Sequence, residues 1–257
     1  TSLGSTGGTT TFSGFETVNG LAGNDGFTLS SAASSTITID GGSGTDSLSV
    51  ASSDLGNNSL TISGAGSGSL GNVTFAGMES IALSSGNDSA SVSSVGSLSG
   101  NLDLGAGNNS LTLASGSGSI GSLSAGIGND TITINGGSVG GAVSVSDGTN
   151  QLTINGTSSS INSYLGGTGA DSVTLSGGDV GGNVDLGTGA NTLLISSISS
   201  SIGGAVTFGS GTSDTLSYAG YGNAVTVSLN SATSTAAAGA TGITGAVTGF
   251  ESLVGGS

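Results

Sequence analysis

Gly166-Gly167-Thr168-Gly169-Ala170-Asp171-Ser172-Val173-Thr174 has the form GGxGxDxUx, with U a large aliphatic residue. It returns as Gly41-Gly42-Ser43-Gly44-Thr45-Asp46-Ser47-Leu48-Ser49. With Ala125 in place of the first glycine, it returns again as Gly126-Ile127-Gly128-Asn129-Asp130-Thr131-Ile132-Thr133. Each copy is a glycine turn followed by a short alternating strand. The last glycine of each turn falls at 23, 44, 86, 107, 128, 148, 169, 189 and 211, a period of about 21 residues with one double-length interval.

Between turns the aliphatic residues alternate with small polar ones. Ile132, Ile134, Val139, Val143 and Val145 fill one period, and Val173, Leu175, Val180, Val184 and Leu186 a later one. Strands with this alternation put the aliphatics on one face. One coil cannot bury that face alone, so coils must stack on copies of themselves. The sequence therefore predicts an all-β fold, a parallel β-solenoid with 21-residue rungs, over a single domain spanning 1–257. At ~4.8 Å per strand, about twelve rungs make a rod of roughly 60 Å. The chain has no proline, which suits strands hydrogen-bonded on both sides. An antiparallel sandwich is the competing fold, but it does not need a fixed period. Residues 47–88 break the period and read as two irregular rungs with displaced corners and a bulging loop at Gly64 to Gly71.

Composition removes whole classes of function. There is no Lys, Arg, His, Cys or Trp, and 12 Asp and 3 Glu set the net charge at −15. Such a chain cannot neutralise phosphates, so nucleic acid is excluded as a partner. Most general bases and nucleophiles are missing, so an enzyme is not expected. No apolar run of ~18 residues is present, so no membrane insertion is expected. Lysine-free acidity suggests a secreted, extracellular or cell-surface protein whose charge is countered by a divalent cation.

Calcium takes six to eight oxygen ligands, which carboxylates and turn carbonyls supply. The candidate metal ligands are Asp25, Asp46, Asp88, Asp130, Asp171 and Asp214, with the carbonyls of Gly44, Gly128 and Gly169. The same position also holds Asn109, Asn150 and Asn191, and in those rungs a carboxylate comes earlier, as Asp103, Asp147 and Asp185. Corner capping by stacked Asp and Asn side chains is the competing reading. On the outer strand face Thr112, Thr133, Thr153 and Thr174 form a column beside Ser110, Thr131, Gln151 and Ser172, interrupted by Gln151 and Leu194. Such an array suits ice or glycans, although threonine is also simply a good strand residue.

A second motif recurs: Phe12-Ser13-Gly14-Phe15-Glu16-Thr17-Val18, Phe75-Ala76-Gly77-Met78-Glu79-Ser80-Ile81, and Val247-Thr248-Gly249-Phe250-Glu251-Ser252-Leu253. Its glutamates read as corner caps or as residues at a subunit joint. Its recurrence suggests one unit of a longer tandem array, or a subunit stacking head to tail on itself.

The nonapeptides, with Gly20-Leu21-Ala22-Gly23-Asn24-Asp25-Gly26-Phe27-Thr28, resemble the glycine-rich calcium-binding repeats of haemolysin-type (RTX) secreted proteins. The run from Ala224 to Gly256 is similar to segments leading into such repeats in large bacterial adhesins and S-layer proteins. The resemblance implies bacterial export, a parallel β-roll and calcium-dependent folding. This chain departs from that family in carrying one nonapeptide per 21 residues, so that at best one edge of the rod is expected to bind ions. The expected function is a non-catalytic, calcium-assisted structural rod: a filament, S-layer or adhesin stalk extended by tandem or head-to-tail copies. The alternative is a module binding ice or surface glycans through its Thr/Ser face.

Overall fold

The structure, a computed structural model, describes residues 14–51, 56–116, 118–229 and 236–256. Phe12 and Ser13 of the first Phe-Glu motif, and residues 230–235 of the C-terminal run, lie outside them. Two sheets face each other across a thin core, and the chain passes from one to the other and back in every coil. We call them sheet I and sheet II. Among the described residues sheet I stacks thirteen strands, including Ser89–Val92, Ser110–Leu113, Thr131–Ile134, Gln151–Asn155, Ser172–Ser176, Thr192–Ile195 and Thr215–Ser217. Sheet II answers with Ser80–Ala82, Ser97–Asp103, Ser119–Ala125, Gly137–Val145, Ser159–Leu165, Val184–Asp185 and Val206–Thr207. All these pairings are parallel. The predicted β-solenoid is the observed fold.

Register explains the core. Leu111, Ile132, Leu152, Val173, Leu193 and Leu216 pair in one unbroken row of sheet I, and Leu113, Ile134, Ile154, Leu175 and Ile195 in the next. Each is buried. Opposite them Leu102, Leu123, Val143, Tyr164, Val184 and Val206 form a row in sheet II. Rows in register let each side chain pack on its counterpart in the next coil, so aliphatics fill most of the layer, with Phe75, Tyr164, Phe208 and Tyr218 among the larger exceptions.

The corners need glycine for two reasons. The last glycine of the turn is left-handed, with φ of +146° at Gly44, +143° at Gly128 and +127° at Gly169. A β-carbon there would also meet the coil below: on Gly128 it would lie 2.0 Å from the carbonyl oxygen of Gly107. Backbone rests directly on backbone at the corner.

The irregular interval is resolved differently from expectation. Residues 47–88 do not form two displaced parallel rungs. From Ser47–Val50 in sheet II the chain climbs to Ser59–Gly64 in sheet I, folds back antiparallel through Ser67–Leu70 and Val73–Ala76, and then enters sheet II at Ser80–Ala82. The Gly64 to Gly71 stretch is thus largely strand. Gly71, with φ of +56°, and Asn72 make a two-residue hairpin turn with glycine first, the choice that matches strand twist. One coil therefore contributes three strands to sheet I. Near the C-terminal end Val227–Leu229 and Ala236–Ala240 add an antiparallel pair to sheet II. These excursions consume chain, so the coils number fewer than twelve.

Candidate functional site

At the start of most post-turn strands, one Asp or Asn turns inward and is buried, and at Asp25 and Asn58 it is half-buried. Asp46, Asp88, Asn109, Asp130, Asn150, Asp171, Asn191 and Asp214 are each at most 2 % exposed. One side-chain oxygen of each accepts the backbone N–H of its counterpart in the preceding coil. Asn109 N–H donates to Asp130 Oδ1 at 2.9 Å, Asp130 N–H to Asn150 Oδ1 at 3.0 Å, Asn150 N–H to Asp171 Oδ1 at 3.0 Å, and Asp171 N–H to Asn191 Oδ1 at 2.9 Å. The side chains thus continue the ladder past the point where the strand begins. This is the corner capping that competed with calcium, and the structure shows its bonds.

The column occupies both corners of the rod in turn. Asp25, Asp46 and Glu79 precede sheet II strands, whereas Asn58, Asp88 and the series through Asp214 to Glu251 precede sheet I strands. The hairpin coil lies at the changeover. The expectation that a single edge carries all the Asp turns is corrected accordingly. Each run ends on the glutamate of the Phe-Glu motif. Asp46 N–H donates to Glu79 Oε2 at 2.6 Å, while Glu79 N–H returns a bond to Asp46 O at 2.9 Å. Glu251 does the same for Asp214, at 2.8 and 2.9 Å. Glu79 and Glu251 are therefore ladder ends, as the corner-cap reading expected.

From Asn58 to Asp214 the column alternates without exception: Asn58, Asp88, Asn109, Asp130, Asn150, Asp171, Asn191, Asp214. Alternation keeps like carboxylates ~9.6 Å apart instead of ~4.8 Å, which halves their mutual repulsion. The second atom of each side chain then differs by residue type. Asn109 Nδ2 donates to the carbonyls of Gly105 and Gly107, both at 3.1 Å. Asn150 Nδ2 donates to Ser146 O at 3.1 Å and Asp171 Oδ1 at 3.0 Å. An aspartate has no such donor. Asp25, Asp46, Asp88, Asp130 and Asp214 each hold a buried Oδ2 with no hydrogen-bond partner. Glycine makes its room: a β-carbon on Gly20 or Gly41 would lie 2.6 Å from Oδ2 of Asp25 or Asp46, and one on Gly211 2.6 Å from that of Asp214. Burial pushes the carboxyls of Asp88, Asp130, Asp171 and Asp214 above the ordinary carboxylate range, against the hydrogen bonds that pull them down.

Asp171 is different. Its Oδ2 accepts the hydroxyl of Tyr164 at 3.2 Å. Tyr164 holds the row position occupied by Val143 and Val184 in adjacent coils, is 2 % exposed, and has its own pKa driven upward by burial and by Asp171. Sequence reading passed over it, although a lone tyrosine in an aliphatic row was a visible signal. The earlier carboxylates stay out of the column. Asp103 and Asp185 cap their own turns at Gly105 and Gly187, and Asp147 accepts Thr168 N–H from the next coil.

These donors fit a hard cation only in part. Each orphaned Oδ2 sits in a turn whose carbonyls, such as those of Gly44 and Gly128, occupy the place that Gly107 gives to Asn109. In the Asn turns the amide hydrogens already fill that place, and in the Asp171 turn, where Gly169 holds the equivalent position, the tyrosine does. Among the described residues no three acidic groups gather around one point. A continuous calcium ladder through every rung is therefore not supported. Sites confined to the turns with an orphaned Oδ2, alternate turns from Asp88 to Asp130 and adjacent ones at Asp25 and Asp46, are compatible with the donor set.

Sheet I presents a second feature on its outer face. Ser89, Ser110, Thr131, Gln151 and Ser172 lie in one register row, and Ser91, Thr112, Thr133, Thr153 and Thr174 in the next. All are exposed or half-buried. No acidic residue lies in the sheet I strands from Ser59–Gly64 onward through Thr215–Ser217, whereas sheet II strands carry Asp103, Asp179 and Asp185. A protein of charge −15 thus keeps one face neutral.

No protein-family model matches the sequence, and no curated protein matches it. Among solved structures the chain is similar to a hyperactive, Ca2+-dependent, β-helical antifreeze protein from an Antarctic bacterium. The two share 23 % identity over 78 % of this chain and 75 % of that one, with a TM-score of 0.34.

Proposed function

We propose that this is a non-catalytic binding rod whose sheet I face recognises an ordered, uncharged surface, with the ice lattice as the first candidate. The observation that carries this reading is a pair of neutral rows in strict register, hydroxyl residues from Ser91 to Thr174 and, with Gln151 as the one interruption, from Ser89 to Ser172. Strand spacing repeats the hydroxyls every ~4.8 Å along the rod, and alternate residues repeat them every ~6.6 Å across it. Individual hydroxyl contacts with water are weak. A rigid array of them acts together, because its spacing is set by backbone ladders and the entropy of ordering the groups has already been lost on folding.

Calcium, or a cation of like chemistry, belongs in this proposal as a stabiliser of the Asp turns. It would be held by Asp25, Asp46, Asp88, Asp130 and Asp214 and would neutralise carboxylates that the fold buries. Export to the cell surface is part of the same reading, because calcium is abundant outside cells. Among the described residues no helix is long and apolar enough to cross a membrane. One observation favours the stalk as a second reading: the Phe-Glu motif closes a ladder run at Glu79 and again at Glu251, so the rod is built in blocks that a tandem protein could repeat. The antiparallel pair at the end of sheet II does not offer the parallel edge that docking of a second copy would use.

Thermal hysteresis and ice-crystal shaping test the proposal. Thr133→Glu combined with Thr153→Glu is expected to lower hysteresis at least ten-fold, with a stability loss of about 1–2 kcal/mol because the two carboxylates face each other on paired strands. Ser144→Glu on sheet II is expected to leave it unchanged. Absence of hysteresis in the parent protein, or equal loss from the sheet II variant, removes ice as the ligand. Binding on a glycan array in that case points to carbohydrate on the same face.

A further inference from the structure

The buried column explains which turns can hold a cation and which cannot, a question that rests on the cation reading above and goes beyond it. Two kinds of closed turn stand beside the open ones. In an Asn turn, Nδ2 points N–H groups at the carbonyls four and two residues earlier, as Asn109 does to Gly105 and Gly107 and Asn191 does to Gly187 and Gly189. A cation placed there would meet positive hydrogens and no free lone pair. In the Asp171 turn, Tyr164 reaches across the core and supplies the hydrogen itself. In the remaining five turns the carboxylate Oδ2 is buried and unpartnered. An ionised carboxylate in such a place needs either a proton or a metal ion.

We infer that the chain loads cations only in the turns of Asp25, Asp46, Asp88, Asp130 and Asp214, and that Tyr164 is a built-in substitute that keeps the turn of Asp171 free of metal. The tyrosine is a positioning residue: it gives Asp171 Oδ2 a hydrogen-bond partner, so that the column has a metal-independent point between Asn150 and Asn191. With one carboxylate each, the sites bind weakly. Affinity follows ligand charge, and a Kd of about 10⁻⁴ to 10⁻³ M is characteristic of extracellular modules. Asp88 and Asp130 are separated by the Asn109 turn and fill independently, whereas Asp25 and Asp46 lie in adjacent coils and interact.

The experiment is calcium stoichiometry by equilibrium dialysis on the full chain, stripped with chelator and returned to calcium chloride, with melting followed by circular dichroism on the same samples. Tyr164→Phe is expected to bind one ion more than the parent, and to gain more from calcium in melting temperature than the parent does. Asp130→Asn is expected to bind one ion fewer. This second variant installs the residue that neighbouring coils already use, so it is expected to fold. If the parent binds calcium but neither variant changes the count, selective loading is wrong while the cation reading survives. If the parent binds none and its melting ignores calcium, the cation reading itself fails and this inference goes with it.

Discussion

Stripped of divalent cations, the protein is expected to be more stable in mildly acidic buffer than at neutral pH, the reverse of the usual acid denaturation. Asp88, Asp130, Asp171 and Asp214 all have carboxyls raised by burial. A carboxyl whose folded pKa lies above its unfolded value of about 3.9 favours folding fully below that value. The advantage is lost as pH climbs through the folded pKa, because the native state must then bury a charge. Melting temperature should therefore fall as pH rises from about 4 toward 7, opposite in sign to a protein held by salt bridges. Calcium should flatten the slope by neutralising Asp88, Asp130 and Asp214. At ten times Kd each filled site contributes about 1.4 kcal/mol, and five such sites together correspond to a rise on the order of 10–20 °C for a chain of this size. Circular dichroism melts at several pH values, with calcium and with chelator, measure both effects. A stability that climbs with pH in the chelated protein would show that the column is ionised and satisfied without metal.

A methyl group added at one corner is expected to unfold the coil that carries it. Gly128 has φ of +143°, and its β-carbon would lie 2.0 Å from the carbonyl oxygen of Gly107 and 2.4 Å from its carbon. Left-handed strain alone costs about 1–3 kcal/mol, and the overlap cannot be relieved because both atoms belong to backbone ladders. Gly128→Ala should lose more than ~3 kcal/mol and open the ladder between neighbouring coils, seen as lost amide protection around Asn109 and Asp130. Gly140→Ala is the matched comparison. Its β-carbon would meet nothing closer than 3.7 Å and its φ is not left-handed, so the same change there should be neutral or stabilise by up to ~1 kcal/mol through the unfolded chain. Equal losses at the two glycines would mean that backbone stacking at the corners does not hold the rod together.

The coil period and the inward row of aliphatics were legible because every level repeats the same local physics. The alternation of Asp and Asn could be read from the chain as well. Its meaning could not, because it depends on which atom faces the turn carbonyls: Asn109 and Asp130 look alike in sequence and differ only in whether the second atom donates. The hairpin was hidden for a related reason. Gly56-Asn57-Asn58 followed by Leu60 and Ile62 has the same local pattern as any other turn and strand. Only tertiary pairing shows that Ser59–Gly64 is placed beside Ser89–Val92 while Val73–Ala76 returns to Ile37–Asp40. The link between Tyr164 and Asp171 likewise needs the two sheets to be facing before it exists.

That hairpin also gives the rod a natural starting point for assembly. Parallel neighbours in the rod are about twenty residues or more apart along the chain, whereas Leu70 meets Val73 and Leu60 meets Leu70. Closing a short loop costs less entropy than closing a long one, and hairpins form in about 1–10 μs. Substitutions at Ile62 or Phe75 should therefore slow refolding, while equivalent losses at Leu193 or Leu216 should mainly speed unwinding. The antiparallel segment, which interrupts the regular winding, would then act as a seed from which coils are laid down in both directions.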